Sequence, residues 1–420
     1  MNPRTQPPAR PWRWRHLLDA PHRLGFFLAL LVLGAAAAWW ALVQLQRLGV
    51  LAATAPAVSP SLVHGAAMTF GFFPLFFAGF LFTAGPRWLG VRGPSAATLL
   101  PALAAQAAGW LVWLAGSQVH AGIALAGLLL AASGWLRVTL LFWRLVRAST
   151  APDRVHPKLI GVALALGGAC LGGFAAALLI GAERTAHGLL ASGLWGGIAL
   201  VFVAAAHRMI PFFGAPPGSV LDAGGGWRQL ALLAGIAAFE AVAVWLQELL
   251  AGVPAWLLGR ALVELAAGGA LLWSAAAWHR LQNVRIRLLA MLFLGLLWFA
   301  IALLLQAGAG LRAWLGGDAV LALAPLHALS MGSLASLMVA MVTRVSAGHA
   351  GEPVVAGNLV WALFWLLQAA TVLRIAATLP GLPGPTLLAG AAALFAAVVL
   401  AWGVRYGSGY GRLAAAPRQR

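Results

Sequence analysis

The sequence is poor in the residues that soluble proteins place on their surfaces. Its 420 residues include nine Asp and Glu, two Tyr and one Cys, and only 9% of them are charged. Hydrophobic residues make up 62% of the chain, which is more apolar length than a soluble core of this size can bury. The composition therefore excludes a soluble enzyme or binding protein and predicts a polytopic membrane protein.

The single cysteine excludes several kinds of site. Cys170 falls inside an apolar run. A disulfide within the chain, a Cys-x-x-Cys-His haem attachment, an iron–sulfur cluster and a thiolate zinc site all need more than one cysteine. None of these can be built from this chain alone.

Twelve apolar runs of about 20 residues, separated by short polar or Gly/Pro-rich connections, are each long enough to cross a bilayer. They lie near residues 25–46, 62–85, 96–115, 121–143, 159–180, 187–207, 229–250, 256–278, 288–308, 322–343, 357–379 and 385–404. The sequence thus predicts an all-α membrane protein with one transmembrane domain, residues 25–404. A basic N-terminal segment, 1–24, precedes it and a basic tail, 405–420, follows it.

The net charge of +18 would suggest a nucleic-acid partner in a soluble protein, but here the cations follow the connections between helices. Of the 27 Lys and Arg, 21 lie on one side of the predicted membrane. Because cytoplasmic loops carry the excess of Lys and Arg, both termini are predicted to be cytoplasmic, with the lipid bilayer and no nucleic acid as partner. The opposite, cation-poor side has Arg47, Arg184, Arg312 and Arg374.

Three predicted helices begin at a histidine and end at an arginine: His64–Arg87, His187–Arg208 and His327–Arg344. Their lengths, roughly 34, 32 and 26 Å, are close to the ~30 Å thickness of the hydrocarbon layer. They are the second, sixth and tenth helices, and spacings of 123 and 140 residues between the histidines approximate a third of the chain. This repetition predicts three four-helix units.

The first and third of these helices share the pattern His-x-x-x-Met, as His64 with Met68 and His327 with Met331. Positions i and i+4 share a helix face. Imidazole is the commonest protein ligand for haem iron and copper, and three such helices would bring ligands together at one depth. We therefore expect His64 and His327 to form a haem pair, with His187 lining the site or holding a metal. Interfacial histidines, and methionines that only pack in the core, are the alternatives.

All three helices are also rich in Gly, Ala and Ser, which let another helix or a flat macrocycle approach closely. The remaining histidines fall near loops or helix ends. His207 and His349 lie at the cytoplasmic ends, about 30 Å from His64, and would form only a separate site. We expect the others to be solvated: His16, His22, His120, His156 and His279.

The charged residues inside predicted helices include Glu240, near the middle of the seventh, and also Glu264 and Arg137. Charges within a bilayer are costly and mark proton paths, ion sites or ion pairs. No further Asp, Glu or Lys accompanies them at helical spacing, so the sequence defines no proton wire. A Glu–Arg ion pair is at least as good an interpretation.

Three stretches resemble the NnrS family of bacterial haem- and copper-associated membrane proteins, which are implicated in the nitric oxide response. They are residues 64–90, beginning His-Gly-Ala-Ala-Met, residues 208–213, Arg-Met-Ile-Pro-Phe-Phe, and residues 327–351, beginning His-Ala-Leu-Ser-Met-Gly. The resemblance implies a twelve-helix haem protein of the bacterial inner membrane that protects against nitrosative stress. Family members typically read W-H-x-H-E-M where this chain has Val63-His-Gly-Ala-Ala-Met68, so copper or proton chemistry of the missing His and Glu would be absent here.

A more distant resemblance is to the catalytic subunit of haem–copper oxidases and nitric oxide reductases, which has twelve core helices in three four-helix units. Its low-spin haem lies between histidines of the second and tenth helices, which implies the pair His64 and His327 here. Its sixth helix supplies a copper ligand, where this chain has His187. The second histidine expected in the tenth helix is replaced by Leu329, and the predicted seventh helix has none. The resemblance therefore implies haem b with two histidine ligands in an oxidase-like bundle, with copper in doubt.

The sequence thus favours a membrane haem protein that transfers electrons or interacts with nitric oxide, and it does not identify the electron donor. Arg47, Arg184 and Arg312 are candidates to pair with the haem propionates. The rival is a permease or assembly factor without a redox cofactor, for which the interruption of the second helix at Pro74 is weak support. A degenerate nitric oxide reductase is a third interpretation, and it requires a metal site that this chain cannot complete.

Overall fold

A computed structural model has twelve helices that are long and apolar enough to span a membrane. The structure describes residues 11–214, 226–281, 284–317, 323–350 and 353–412, and every regular element within these ranges is helical. The side chains of His279 and Arg280 lie outside the described part, as do four further basic residues that support the predicted topology: Arg4, Arg10, Arg418 and Arg420.

The twelve predicted spans are confirmed, and several helices extend beyond their predicted ends. They are α1 (Pro21–Arg47), α2 (Pro60–Leu89), α3 (Ala96–Val119), α4 (Ala121–Ala148), α5 (Val155–Leu179), α6 (Glu183–Met209), α7 (Trp227–Leu250), α8 (Pro254–Ala276), α9 (Arg287–Trp314), α10 (Ala324–Ala350), α11 (Asn358–Ala376) and α12 (Gly384–Tyr410). A short 3₁₀ helix, Trp14–Asp19, precedes α1.

Local sequence explains several of the helix ends. The hydroxyl of Ser95 accepts a hydrogen bond from the backbone N–H of Thr98 at the start of α3, as an N-cap does. Nδ1 of His120 accepts from the N–H of Gly122 at the start of α4, and this exposed histidine is solvated as expected. Gly90 ends α2 with a φ of 62°, a left-handed conformation that favours glycine.

The three helices that carry the sequence motif occupy the centre of the bundle. In their most apolar stretches 89%, 78% and 83% of the residues are buried, in α2, α6 and α10 respectively. In each of the other spanning helices of the described part the share is at most 56%. Those peripheral helices expose large apolar side chains such as Leu129, Leu136 and Leu140 of α4, as helices that face lipid do.

Helices that follow one another in the chain also pack against one another, and α12 returns to pack on α1. The second helix in each successive set of four is the most buried, as the predicted repeat requires. The packing nevertheless continues across the predicted unit boundaries, from α4 to α5 and from α8 to α9. The grouping into three four-helix units and the likeness to an oxidase bundle therefore stay predictions.

Close crossings of the central helices depend on glycine. Where α1 crosses α2, a Cβ on Gly25 would lie 2.6 Å from the Cα of Gly79. Where α9 crosses α10, a Cβ on Gly332 would lie 2.5 Å from the indole of Trp298. Both distances are far shorter than a van der Waals contact, so these glycines serve the close helix packing that small residues allow in membranes.

Candidate functional site

A cavity of about 380 Å³ lies at the end of the bundle where α2, α6 and α10 begin. Its wall contains all three motif histidines, His64, His187 and His327, together with residues of α1, α11 and α12. Most of the other wall residues are Leu, Ala, Phe and Met. An apolar cavity of this size with a few convergent polar groups is typical of a cofactor or ligand site.

The residues one turn deeper than the histidines line the same cavity. Met68 and Met331 are part of the wall, and Ala191 occupies the equivalent position in α6. Because i and i+4 positions share a helix face, each of the three helices turns the same face to the cavity. The sequence pattern therefore identified the inward-facing side of two of these helices correctly.

Each histidine-bearing helix changes from α- to π-helical geometry beside the cavity. The π-helical segments are Ala67–Gly71 in α2, Gly193–Ala199 in α6 and Ala328–Ala335 in α10. In α2 the cause is Pro74, which lacks an N–H and whose ring crowds the carbonyl of Phe70. Such segments are rare in proteins and are concentrated at functional sites. Of the three interruptions, sequence reasoning found only the one at Pro74.

His327 and His187 are oriented by the same kind of hydrogen bond. Nδ1 of His327 lies 2.8 Å from the carbonyl oxygen of Leu323, and Nδ1 of His187 lies 3.0 Å from that of Glu183. A carbonyl oxygen can only accept, so Nδ1 donates the proton and Nε2 of the neutral ring keeps its lone pair. An imidazole anchored through Nδ1–H is the form that commonly ligates a metal through Nε2. His327 is buried, whereas His187 is exposed at the mouth of the cavity.

His64 is held by ring stacking. Its imidazole lies against the indole of Trp40 in α1, with ring centroids 3.9 Å apart and planes 16° apart. The guanidinium of Arg47 lies 5.3 Å from the centroid of the same indole. The buried Nδ1 of His64 has no hydrogen-bond partner among the described residues, which costs roughly 1–3 kcal/mol. A group that hydrogen-bonds this nitrogen would recover that cost.

Arg374 is a cavity residue that sequence reasoning did not select. Its side chain lines the cavity, is only 9% exposed and has no hydrogen-bond or ion-pair partner among the described residues. The available signal was its place among the few cations of the cation-poor side. A buried guanidinium without a counter-ion is costly and attracts an anion. This end of the cavity is therefore suited to an acidic group.

The arginines predicted to meet haem propionates are not brought together. Arg47 belongs to the cavity wall, whereas Arg184 and Arg312 are not among the wall residues. The side chain of Arg184 is 84% exposed and its Nε lies 3.8 Å from a carboxylate oxygen of Glu248. The positive charge at the cavity thus comes from Arg47 and Arg374, at the ends of α1 and α11.

The histidines at the opposite end of the bundle form two pairs. Nε2 of His156 lies 2.9 Å from Nδ1 of His207, and the ring centroids of His22 and His349 are 4.2 Å apart. His207 and His349 therefore each contact a histidine of a neighbouring helix, α5 and α1 respectively. The expectation of solvated side chains is wrong for three residues, which helix packing buries: His16, His22 and His156.

Among the described residues, no three His, Cys, Asp or Glu side chains are grouped in a way that could hold a metal ion. The three cavity histidines belong to different helices of the wall. Two imidazoles are enough to hold the iron of a haem, because the macrocycle supplies its other ligands. The residues present therefore fit a haem better than a single bound ion.

Twelve spanning helices around a histidine-lined apolar cavity define a polytopic membrane protein with an internal cofactor-sized site. The family model described as "NnrS protein" matches residues 16–412, nearly the whole chain. The chain therefore belongs to the NnrS family, which confirms the resemblance seen in the sequence. No curated protein matches the chain.

Proposed function

We propose that this NnrS family protein binds haem b in the cavity, where His64 and His327 would hold its iron. The observation that carries the proposal is the presence of both histidines in the wall of one apolar cavity of about 380 Å³. The hydrogen bond from His327 Nδ1 to Leu323 leaves Nε2 available as a ligand. Met68 and Met331 would pack against the macrocycle.

The charges at the cavity support the same proposal. A haem carries two propionate carboxylates, and Arg374 is a buried cation without a partner among the described residues. Arg47, stacked on Trp40 at the mouth of the cavity, would provide a second, more exposed cation. Charge-assisted hydrogen bonds from guanidinium to carboxylate are among the strongest that proteins form. These two arginines would fix the orientation of the propionates.

A haem held by His64 and His327 would supply one-electron transfer, and release of one imidazole would open a site for nitric oxide. The family resemblance implies a role in the nitric oxide response at the bacterial cytoplasmic membrane, and we propose that role here, with an electron donor still to be identified. His187, whose Nε2 is also available, would line the site or hold copper. A complete haem–copper centre and a reductase reaction need ligands that positions such as Leu329 do not provide.

A visible spectrum of the protein purified from haem-replete cells tests this proposal. We expect a Soret band and sharp reduced b-type bands, which His64→Ala and His327→Ala each abolish. His120→Ala is the matched control, because that exposed histidine caps α4 outside the cavity. A colourless, fully folded preparation would exclude haem, and unchanged spectra in both variants would assign the iron to other ligands. The copper content of the unmodified protein and of His187→Ala tests whether His187 holds copper.

A permease for an apolar anion is the second candidate. It is favoured by the three π-helical segments beside the cavity, because transporters place substrates where the helices of internal repeats are interrupted. Arg374 would then face the anion. A folded, colourless protein that binds an apolar carboxylate, and loses that binding in Arg374→Met, would support this candidate over the haem protein.

A further inference from the structure

Three charged side chains form a cluster between α7 and α8, outside the cavity wall. Nη2 of Arg260 donates to Oε2 of Glu240 at 2.7 Å, and its Nε donates to Oε1 of Glu264 at 2.7 Å. The side chains of both glutamates are 1% exposed and that of Arg260 is 12% exposed. An ion pair of Glu with Arg is therefore present, but its arginine is Arg260 and a second carboxylate joins it. Arg137 lies on the exposed face of α4 and takes no part.

The cluster lies near the middle of the membrane. Glu240 is ten residues from the end of α7 at Leu250, and Glu264 is ten residues from the start of α8 at Pro254. These two helix ends lie on the same side of the membrane. Each carboxylate is therefore about 15 Å from that side, which is half the ~30 Å hydrocarbon thickness. Net charge at this depth is costly. The total charge of the three groups therefore decides which protonation state is stable.

The charges do not balance when both glutamates are ionised. One guanidinium neutralises one carboxylate, which leaves one negative charge in the buried cluster. The two carboxylates accept from neighbouring nitrogens of the same guanidinium, Nη2 and Nε, so they lie side by side. Each also has a buried oxygen, Oε1 of Glu240 and Oε2 of Glu264, without a partner among the described residues. One added proton would neutralise the cluster and give the carboxyl pair the donor that it lacks.

We propose that Glu240, Glu264 and Arg260 form an intramembrane proton-binding site, which holds one proton between its two carboxyl groups at neutral pH. A divalent cation is a poorer occupant, since it needs about six oxygen ligands and would be repelled by the arginine. Among the described residues, the other charged groups of the adjoining helices α6 and α9 lie near the helix ends: Glu183, Arg184, Arg208, Arg287 and Arg312. The cluster is therefore the charged group at this depth between α7 and α8.

Polar side chains continue from the cluster toward the cation-poor side. Oε1 of Gln247 accepts hydrogen bonds from Nη1 of Arg260 at 3.4 Å and from the indole of Trp256 at 2.9 Å. Gln247 lies about two helical turns nearer than Glu240 to the end of α7. The hydrogen-bonded groups around Arg260 therefore extend toward the side of the membrane on which Arg184 and Glu248 lie.

Infrared spectroscopy of the full-length protein in lipid tests this site. At neutral pH we expect the carbonyl stretch of a protonated carboxylic acid, which moves to lower frequency in D₂O and on ¹³C labelling of glutamate. Glu240→Gln and Glu264→Gln should each lose the band, because a single carboxylate beside Arg260 stays ionised. Glu248→Gln is the matched control on the same helix, where the side chain is 42% exposed, and it should keep the band.

The absence of a labelled band in the unmodified protein would overturn the proposal, and this measurement needs no variant to fold. A band that survives in either folded glutamine variant would also overturn it. Arg260→Met provides a change of opposite sign, because without the guanidinium both carboxyl groups should be protonated and the band should about double. An unchanged band in a folded Arg260→Met protein contradicts the charge balance. None of these results depends on haem.

Discussion

Arg260 and Arg374 are both largely buried, and their surroundings give them opposite properties. Arg260 donates to two carboxyl groups, so its charge is compensated within the protein. Arg374 lines the cavity without a partner among the described residues. Removing one member of a buried ion pair is strongly destabilising, whereas removing an uncompensated buried charge relieves a desolvation cost. The two residues should therefore respond to substitution in opposite directions.

Replacing Arg374 by Met should separate binding from stability. We expect the haem-free protein to unfold at a higher temperature, because an unpaired buried cation is removed. Haem affinity should fall at least tenfold, because a buried contact with a charged partner contributes roughly 2–5 kcal/mol. Haem titration and thermal unfolding of the haem-free form measure the two effects. Arg184→Met, at an exposed position outside the cavity wall, should change neither, and a loss of stability in Arg374→Met would indicate a purely structural role.

At the scale of the helix, the departures from α-helical geometry coincide with the polar contacts that hold the central helices. The π-helical segment of α10 ends before Ser336, whose hydroxyl accepts from Nε2 of Gln368 in α11 at 3.0 Å. Oε1 of the same Gln368 accepts from the indole of Trp298 in α9 at 2.7 Å. One amide thus joins three helices behind the cavity, and its satisfied hydrogen bonds fix the position of α10.

At the point where α1 crosses α2, Gly25 has no room for a side chain. Gly25→Ala should destabilise the protein by about 1–3 kcal/mol, because the new methyl group would overlap the backbone of Gly79 and force the helices apart. Gly172→Ala is the matched control, since nothing lies within 4 Å of an added Cβ there. Its effect should be neutral or slightly stabilising, as expected for alanine in a helix. Thermal unfolding in detergent measures both, and equal stabilities would contradict the close crossing.

At the scale of the whole molecule, the distribution of cations relates the position of the cavity to the two sides of the membrane. The cavity lies at the cation-poor side, with Arg47 and Arg374 in its wall, while most Lys and Arg lie at the other end. The positive-inside rule therefore predicts that the cavity opens away from the cytoplasm. A haem or ligand would therefore be reached from outside the cytoplasmic face.

Cysteine labelling in whole cells tests this orientation. In a Cys170→Ala background, which has no cysteine, Thr54→Cys in the connection between α1 and α2 should react with a membrane-impermeant maleimide. Pro152→Cys, in the connection between α4 and α5, should react only after the membrane is permeabilised. Both positions are exposed, so access is set by the membrane. The reverse pattern would place the cavity on the cytoplasmic side.

Much of the fold could be predicted because a bilayer imposes it. The number of spans follows from runs of apolar residues that match one thickness. The cavity was foreseen through His64, His187 and His327, because a repeated spacing and a shared helix depth are visible in the sequence. Arg374 was missed because a lone arginine at a helix end is normally a topology signal, and only burial by neighbouring helices distinguishes it.

The sequence by itself determined the twelve candidate membrane spans found in the described residues, which side is rich in cations, and which helices carry the inward-facing histidines. These properties depend on the composition of single helices and on the spacing of residues along them. Both are visible in the sequence without knowledge of which helices pack together. Only the tertiary structure decided which charges are compensated: Arg260 by two glutamates, Arg374 by none of the described residues. It also revealed the π-helical segments around the cavity and the burial of His22 and His156. Such properties depend on which helices pack together, and no single helix encodes its neighbours.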